Sequence, residues 1–218
     1  MADKKKLEQR AYSFEVRAEN GANGKIITGR PIVYNSRTNI GFFDEVIEPG
    51  ALDKTDLTDV RFLVNHDTSK IPLARSRRNT PNSTMQLWTD AEGMAIRVNL
   101  DTENNTDAKN LYSAVERGDI TGMSFRFGVD AERWEDIESD HPTRHIEAIS
   151  TVVEVSAVTF PAYEETEINA RSKEALENAR LALDNAKRSA EDKSSLENEL
   201  ELRKAYFEFQ KKLGGIKQ

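Results

Sequence analysis

Few side chains in this sequence could do acid–base or nucleophilic chemistry. There are three histidines and no cysteine, which excludes disulfides, cysteine nucleophiles and thiolate metal sites. His66 closes the run Arg61-Phe62-Leu63-Val64-Asn65-His66-Asp67. A histidine at the end of an apolar strand is held by the sheet and can still face a cleft, as a general base must. Ser124 lies in Gly118-Asp119-Ile120-Thr121-Gly122-Met123-Ser124-Phe125-Arg126-Phe127. A serine between a glycine turn and a strand can project its hydroxyl into a cleft, although the segment is not the Gly-x-Ser-x-Gly elbow. Each residue also has a bland reading, as a surface histidine and a turn serine bonded to backbone.

The other ionisable groups narrow the chemistry. His141 and His145 are four apart, but Pro142 lies between them and the polar surroundings read as a loop. With no zinc-binding Glu-containing motif and no cysteine, no metal site is expected there. No phosphate-binding glycine loop and no dinucleotide fingerprint occurs, so no cofactor is expected either. Glu147 and Glu154 flank Ile149–Val153 on one strand pattern. Their odd separation sends them to opposite faces of a regular strand, so at most one can serve a given site. Both faces are apolar, and the pattern alone does not choose between them.

The elements that must hold these residues are mostly strands. Tyr12, Phe14 and Val16 alternate with polar neighbours, as do Met94, Ile96, Val98 and Leu100. Segments 26–34, 42–47, 60–64, 85–88 and 149–160 are further strands, rich in β-branched and aromatic residues. Residues 21–24, 79–83 and 91–93 supply turns. One helix interrupts them, with Asp107 as N-cap, Leu111, Ala114 and Val115 on one face and Gly118 as stop. The expected fold is α+β: a mostly antiparallel β-barrel with packed helices, followed by a C-terminal amphipathic helical extension.

The division falls near Pro161. Beyond it there is no further proline, and no glycine until Gly214. Residues 164–218 hold 12 acidic and 11 basic side chains, so most of the net charge of −7 belongs to the first part. Residues 1–163 are expected to form the globular domain and residues 164–218 a helical extension. Leu176, Ala179, Leu183, Ala186 and Ala190 keep helical spacing, and Leu196, Leu200, Arg203 and Phe207 continue it past a polar stretch at 189–195, read as a break. So narrow an apolar stripe needs a partner helix, in this chain or another; the bland reading is a solvated helix laced by i,i+4 charge pairs. Net negative charge and a pI near 5.2 argue against a general nucleic-acid binder. No apolar run is long enough to span a membrane, and Lys4–Lys6 are followed by no secretory h-region.

Four motifs occur in one order: Phe43-x-Glu45-x-Ile47-x-Pro49-Gly50-Ala51; Leu63-Val64-Asn65-His66-Asp67; Gly118-x-Ile120-x-Gly122-Met123-Ser124-Phe125-x-Phe127; and Glu154-Val155-Ser156-x-Val158-Thr159-x-Pro161-Ala162. Together they resemble the prohead proteases of tailed bacteriophages, over roughly residues 10–163. The sequence departs from that pattern at Ala74 before Arg75, where glycine is frequent, and at Tyr163, where asparagine is frequent. The resemblance implies a serine endopeptidase that matures a procapsid by cleaving capsid-precursor and scaffold segments and finally itself, with a fold similar to the herpesvirus assemblins. It makes Ser124 the nucleophile, His66 the base and Glu154 the acid, with Glu147 as runner-up. By the same analogy, backbone N–H groups at 160–162 would line an oxyanion site. The implied partners are the major capsid protein and its scaffold segment, with self-association through the C-terminal helices. The implied location is the host cytoplasm, inside the assembling procapsid. A catalytically inactive assembly protein that keeps the fold is the main alternative, and a small-molecule-binding barrel is a third.

Overall fold

The computed structural model describes residues 7–12, 16–21, 24–159 and 173–214. Phe14, the tip of the turn at 22–23, the segment 160–162, Tyr163 and the expected domain boundary lie outside the described residues.

Two sheets enclose one core. The larger has seven strands: β1 (Leu7–Tyr12), β4 (Thr38–Asn39), β5 (Asp44–Ile47), β6 (Asp59–Val64), β7 (Ala74–Arg77), β10 (Gly122–Glu135) and β11 (Thr143–Val158). The smaller runs in the order β2 (Val16–Gly21), β3 (Gly24–Val33), β9 (Gly93–Leu100) and β8 (Met85–Asp90). Ile27, Ile32, Met94 and Ile96 from the smaller sheet pack with Phe62, Met123, Phe125 and Phe127 from the larger, all fully buried. Removing such side chains from water is the main favourable contribution, about 1.5–3 kcal/mol for each fully buried large apolar residue.

The strand pattern is mostly antiparallel, but no closed barrel forms among the described residues. The long strand β11 explains why. Its residues Thr143–Ile146 pair in parallel with β5, while Glu154–Ala157 pair in parallel with β6 on the same flank. The sheet therefore branches along β11 instead of running edge to edge, and the single consistent stagger that closure demands is lost. Four register irregularities between Arg126 and Glu132 bend the β10–β11 hairpin. That hairpin also absorbs the segment expected to be a loop, since His145 sits within β11 and only His141 lies in the connection.

Helix α1 (Thr106–Glu116) is capped by Asn105, not Asp107. The Asn105 side chain accepts from the N–H groups of Asp107 and Ala108, leaving Asp107 as the acidic residue of the first turn. Gly118 takes φ 77° after the helix end, a left-handed conformation in which glycine carries no Cβ penalty. Four residues later β10 begins, so this stop sets the entry of Ser124 into the sheet.

Helix α2 (Lys173–Gly214) is continuous for 42 residues, without the break expected at 189–195. The polar stretch lacks glycine and proline, and the Ser189 hydroxyl bonds the Asn185 carbonyl one turn back, so its side chain does not pull the backbone out of the helix. Ala179 is fully buried and the helix meets β1. Leu196, Leu200, Leu202, Tyr206, Phe207 and Phe209 are each more than half exposed. No helix among the described residues is long and apolar enough to cross a membrane.

Candidate active site

The site is assembled by register. Strand β10 pairs with β11 so that Ser124 faces Ser156, and Glu154 lies two residues before Ser156 on the same strand. Period two puts Glu154 and Ser156 on one face of β11, and cross-strand pairing adds Ser124 to that face. Strand β6 runs parallel to Glu154–Ala157 and ends at Val64, beside Ala157. Beyond it the chain must fold back over β11 to bring His66 onto the same face.

It does so through two successive left-handed residues, Asn65 (φ 51°) and His66 (φ 57°). Non-glycine residues in that region cost roughly 1–3 kcal/mol each and persist only where their surroundings hold them. The holding contacts are explicit. Asn65 N–H donates to the Ala157 carbonyl at 2.9 Å. Asn65 Oδ1 accepts from Thr159 N–H at 3.0 Å, and Asn65 Nδ2 donates to Thr159 Oγ1 at 3.0 Å. His66 N–H donates to Ser156 Oγ at 3.2 Å. The asparagine before the histidine is thus a conformational requirement, since its side chain tolerates the left-handed region and ties the turn to β11.

The side chains then form one chain of hydrogen bonds. His66 Nε2 lies 2.6 Å from Ser124 Oγ, and His66 Nδ1 bonds Glu154 Oε1. The second carboxylate oxygen, Oε2, accepts from Ser156 Oγ–H at 2.7 Å. Ser124 Oγ is also 2.5 Å from the carbonyl oxygen of Arg10 on β1, which pairs antiparallel with β10. Ser124 and Ser156 are fully buried, Glu154 is 3% exposed and the His66 side chain 10%. Chemically, this arrangement places a hydroxyl against an imidazole whose far nitrogen is held by a carboxylate, in surroundings from which water is largely excluded.

The remaining sequence-selected residues lie elsewhere. Glu147 is exposed and ion-paired with Arg133 at 3.4 Å. His141 Nε2 bonds Asp44 at 2.9 Å; His145 sits between Glu48 at 2.6 Å and Glu135 at 3.0 Å. No group of three or more histidine, aspartate or glutamate side chains is set to hold a metal ion among the described residues. Two participants escaped the sequence reading. Ser156 had a signal, since it shares parity with Glu154 within one motif. The Arg10 carbonyl had none, because a backbone oxygen carries no mark in the sequence.

Comparison with known proteins gives this arrangement its context. The family described as Caudovirus prohead serine protease matches residues 12–180, and the chain belongs to that family. It is similar to the prohead protease of Enterobacteria phage HK97, with 26% identity over 159 residues, covering 72% of this chain and 64% of that protein. The chain thus matches less than two thirds of that relative's length. Among solved structures, it is similar to the bacteriophage T4 capsid assembly protease at 13% identity, with a TM-score of 0.45 over 73% of this chain and 100% of that one.

Proposed function

We propose that the chain is a serine endopeptidase of procapsid maturation, with Ser124 as nucleophile, His66 as general base and Glu154 as the acid. One observation carries this reading: His66 bridges Ser124 Oγ and the Glu154 carboxylate through its two ring nitrogens, in a member of this family. Ser124 Oγ attacks the scissile carbonyl, His66 Nε2 takes its proton, and the same proton passes to the leaving amine. Glu154 holds the Nδ1–H tautomer and stabilises the imidazolium that forms. The acyl-enzyme is then hydrolysed by water activated by the same histidine.

Ser124 Oγ carries one proton and has two acceptors beside it, His66 Nε2 and the Arg10 carbonyl. Attack requires the proton to point at His66. The full burial of Ser124 is the observation that favours the competing reading, an inactive assembly protein that keeps this fold.

The substrates in the proposed reading are the capsid precursor, its scaffold segment and the chain itself. The place of action is the assembling procapsid in the host cytoplasm. Residues 1–163 form the catalytic unit and residues 164–218 the extension, whose apolar side chains at 196–209 suit pairing with scaffold helices or a second copy. Co-expression with the capsid precursor, followed by mass measurement of both chains, tests the whole. Trimmed products that vanish with Ser124→Ala support the protease; intact masses at all expression levels leave the assembly protein.

A further inference from the structure

Within that proposed chemistry, we infer that Ser156 is a positioning residue that sets the base and the acid against one another through a single hydroxyl. Ser156 Oγ donates its proton to Glu154 Oε2 at 2.7 Å and accepts the backbone N–H of His66 at 3.2 Å. The residue is fully buried and lies directly across the ladder from Ser124. Among the described residues, no other side chain is hydrogen-bonded both to the main chain of His66 and to the carboxylate of Glu154.

Two separate needs meet at this atom. Glu154 is almost wholly buried, and its Oε1 is engaged by the imidazole. Oε2 takes its hydrogen bond from Ser156 among the described residues, so without that hydroxyl half of a buried carboxylate loses its donor. An anion short of a donor binds protons more tightly and pulls harder on the Nδ1 proton. The imidazolium is then held more firmly, and His66 is less ready to act as a base at a given pH. The second need is conformational. Asn65 and His66 both occupy the left-handed region, and the Ser156 bond is one of the contacts that keep the His66 backbone there. If the turn relaxes, Nε2 swings away from Ser124 Oγ. Ser156 therefore acts through both His66 and Glu154 while touching neither substrate nor the reacting atoms.

The test uses the purified full-length chain and a fluorophosphonate probe, which labels an activated serine without any knowledge of the peptide substrate. Labelling rates are measured across pH for the parent, Ser156→Ala and Ser156→Thr, with Ser124→Ala as blank. Ser156→Ala is expected to slow labelling about a hundredfold, the scale of a small misplacement of catalytic groups. It should also move the pH of half-maximal labelling upward, while Ser156→Thr, which keeps the hydroxyl, recovers most of the rate. An unchanged rate and pH midpoint in Ser156→Ala would overturn the inference, even if its thermal stability fell, because the hydroxyl would then be only structural. If the parent itself takes no label, the protease reading fails instead. Imidazole NMR of His66 then still decides the positioning role: one Nδ1–H tautomer in the parent and a mixture in Ser156→Ala support it, and identical signals overturn it.

Discussion

Two buried polar clusters lie on the β10–β11 hairpin and its neighbours, and they solve burial in opposite ways. In the first, Arg10 and Arg144 are interleaved with Glu8, Glu45 and Glu132. Arg10 grips Glu45 with two nitrogens at 2.5 and 2.6 Å and reaches Glu8 at 2.6 Å. Arg144 bonds both oxygens of Glu8 at 2.7 and 2.9 Å, and Glu45 at 3.1 Å. Charges cross-link β1, β5, β10 and β11 where no backbone ladder joins β1 to β5. In the second cluster, Ser124, His66, Glu154 and Ser156 carry one formal charge when His66 is neutral, and their contacts run through protons that can change owner. Desolvation opposes both arginine charges, but the surrounding carboxylates raise their affinity for protons above that of an ordinary arginine. Neither arginine gives up its proton near neutrality. At Ser124, one proton faces two acceptors. A structural polar cluster is saturated, whereas a reactive one keeps a choice open. Arg10 belongs to both, with its guanidinium in the fixed cluster and its carbonyl beside Ser124 Oγ.

The comparison is broken most severely at Ser124, the proposed nucleophile. Ser124→Ala and His66→Ala are each expected to lower processing of the capsid precursor by at least about three orders of magnitude, and the double variant no further, because the two act as a unit. Thermal unfolding should change little in Ser124→Ala, whereas His66→Ala should also lower stability, because it strips one oxygen of the buried Glu154 carboxylate of its partner. Additive losses in the double variant would show that the two do not share one proton.

The saturated cluster should fail in stability instead. Arg144→Met leaves Glu8 and Glu45 buried without one of their cations, and breaking a buried pair in this way costs about 3–5 kcal/mol. Denaturant unfolding measures it. The fraction that remains folded should keep the pH profile of the parent. A changed profile with unchanged stability would erase the distinction between the clusters.

Acid gives a gentler version of the same contrast. Burial alone would raise the Glu8 carboxyl, but the charge of Arg10 and the bonds from Arg144 outweigh it and hold the group at about 2, against an ordinary 4.5. A carboxyl depressed on folding contributes stability above its unfolded value and loses it as pH falls through the folded one. Stability should therefore decline between about pH 4.5 and pH 2, and Glu8→Gln should flatten that slope while lowering the plateau. An equally steep slope in Glu8→Gln would place the acid sensitivity elsewhere.

How much of this was legible beforehand depends on range. The alternation at Met94–Leu100, the strand before His66 and the stop at Gly118 are local signals, and the structure carries them as such. The cap at Asn105 was missed by two residues because Asn105, Thr106 and Asp107 are all competent helix starters. The parallel joining of β5 and β6 to one flank of β11 is non-local and left no periodic mark, so closure into a barrel was expected where a branched sheet stands. Polar residues at 189–195 suggested a break, yet without glycine or proline an exposed helix tolerates them. At the site, side-chain types and spacing pointed to Ser124, His66 and two glutamates. Which atoms meet depended on the left-handed pair at 65–66, which the sequence announces only through an asparagine.

The smallest expected effect decides between the two glutamates. Glu147 and Glu154 lie on the same strand, and the residue pattern alone could not rank them. Their surroundings differ: Glu154 is buried against His66 and Ser156, whereas Glu147 is exposed beside Arg133. An exposed ion pair contributes at most about 1 kcal/mol and is weakened further by salt. Glu147→Gln should thus leave labelling by the fluorophosphonate probe within about twofold of the parent and stability nearly unchanged. Glu154→Gln should lower labelling strongly, because an amide can still orient His66 but cannot stabilise its charge, as an asparagine in the acid position of a serine–histidine–aspartate triad costs about 10⁴ in kcat. Salt provides the control. Raising ionic strength should erase any residual difference between Glu147→Gln and the parent, since the Arg133 pair is open to solvent, yet leave the Glu154→Gln deficit in place. If Glu147→Gln is the variant that loses labelling while Glu154→Gln keeps it, the acid must be reassigned and the bond between Glu154 and His66 becomes structural.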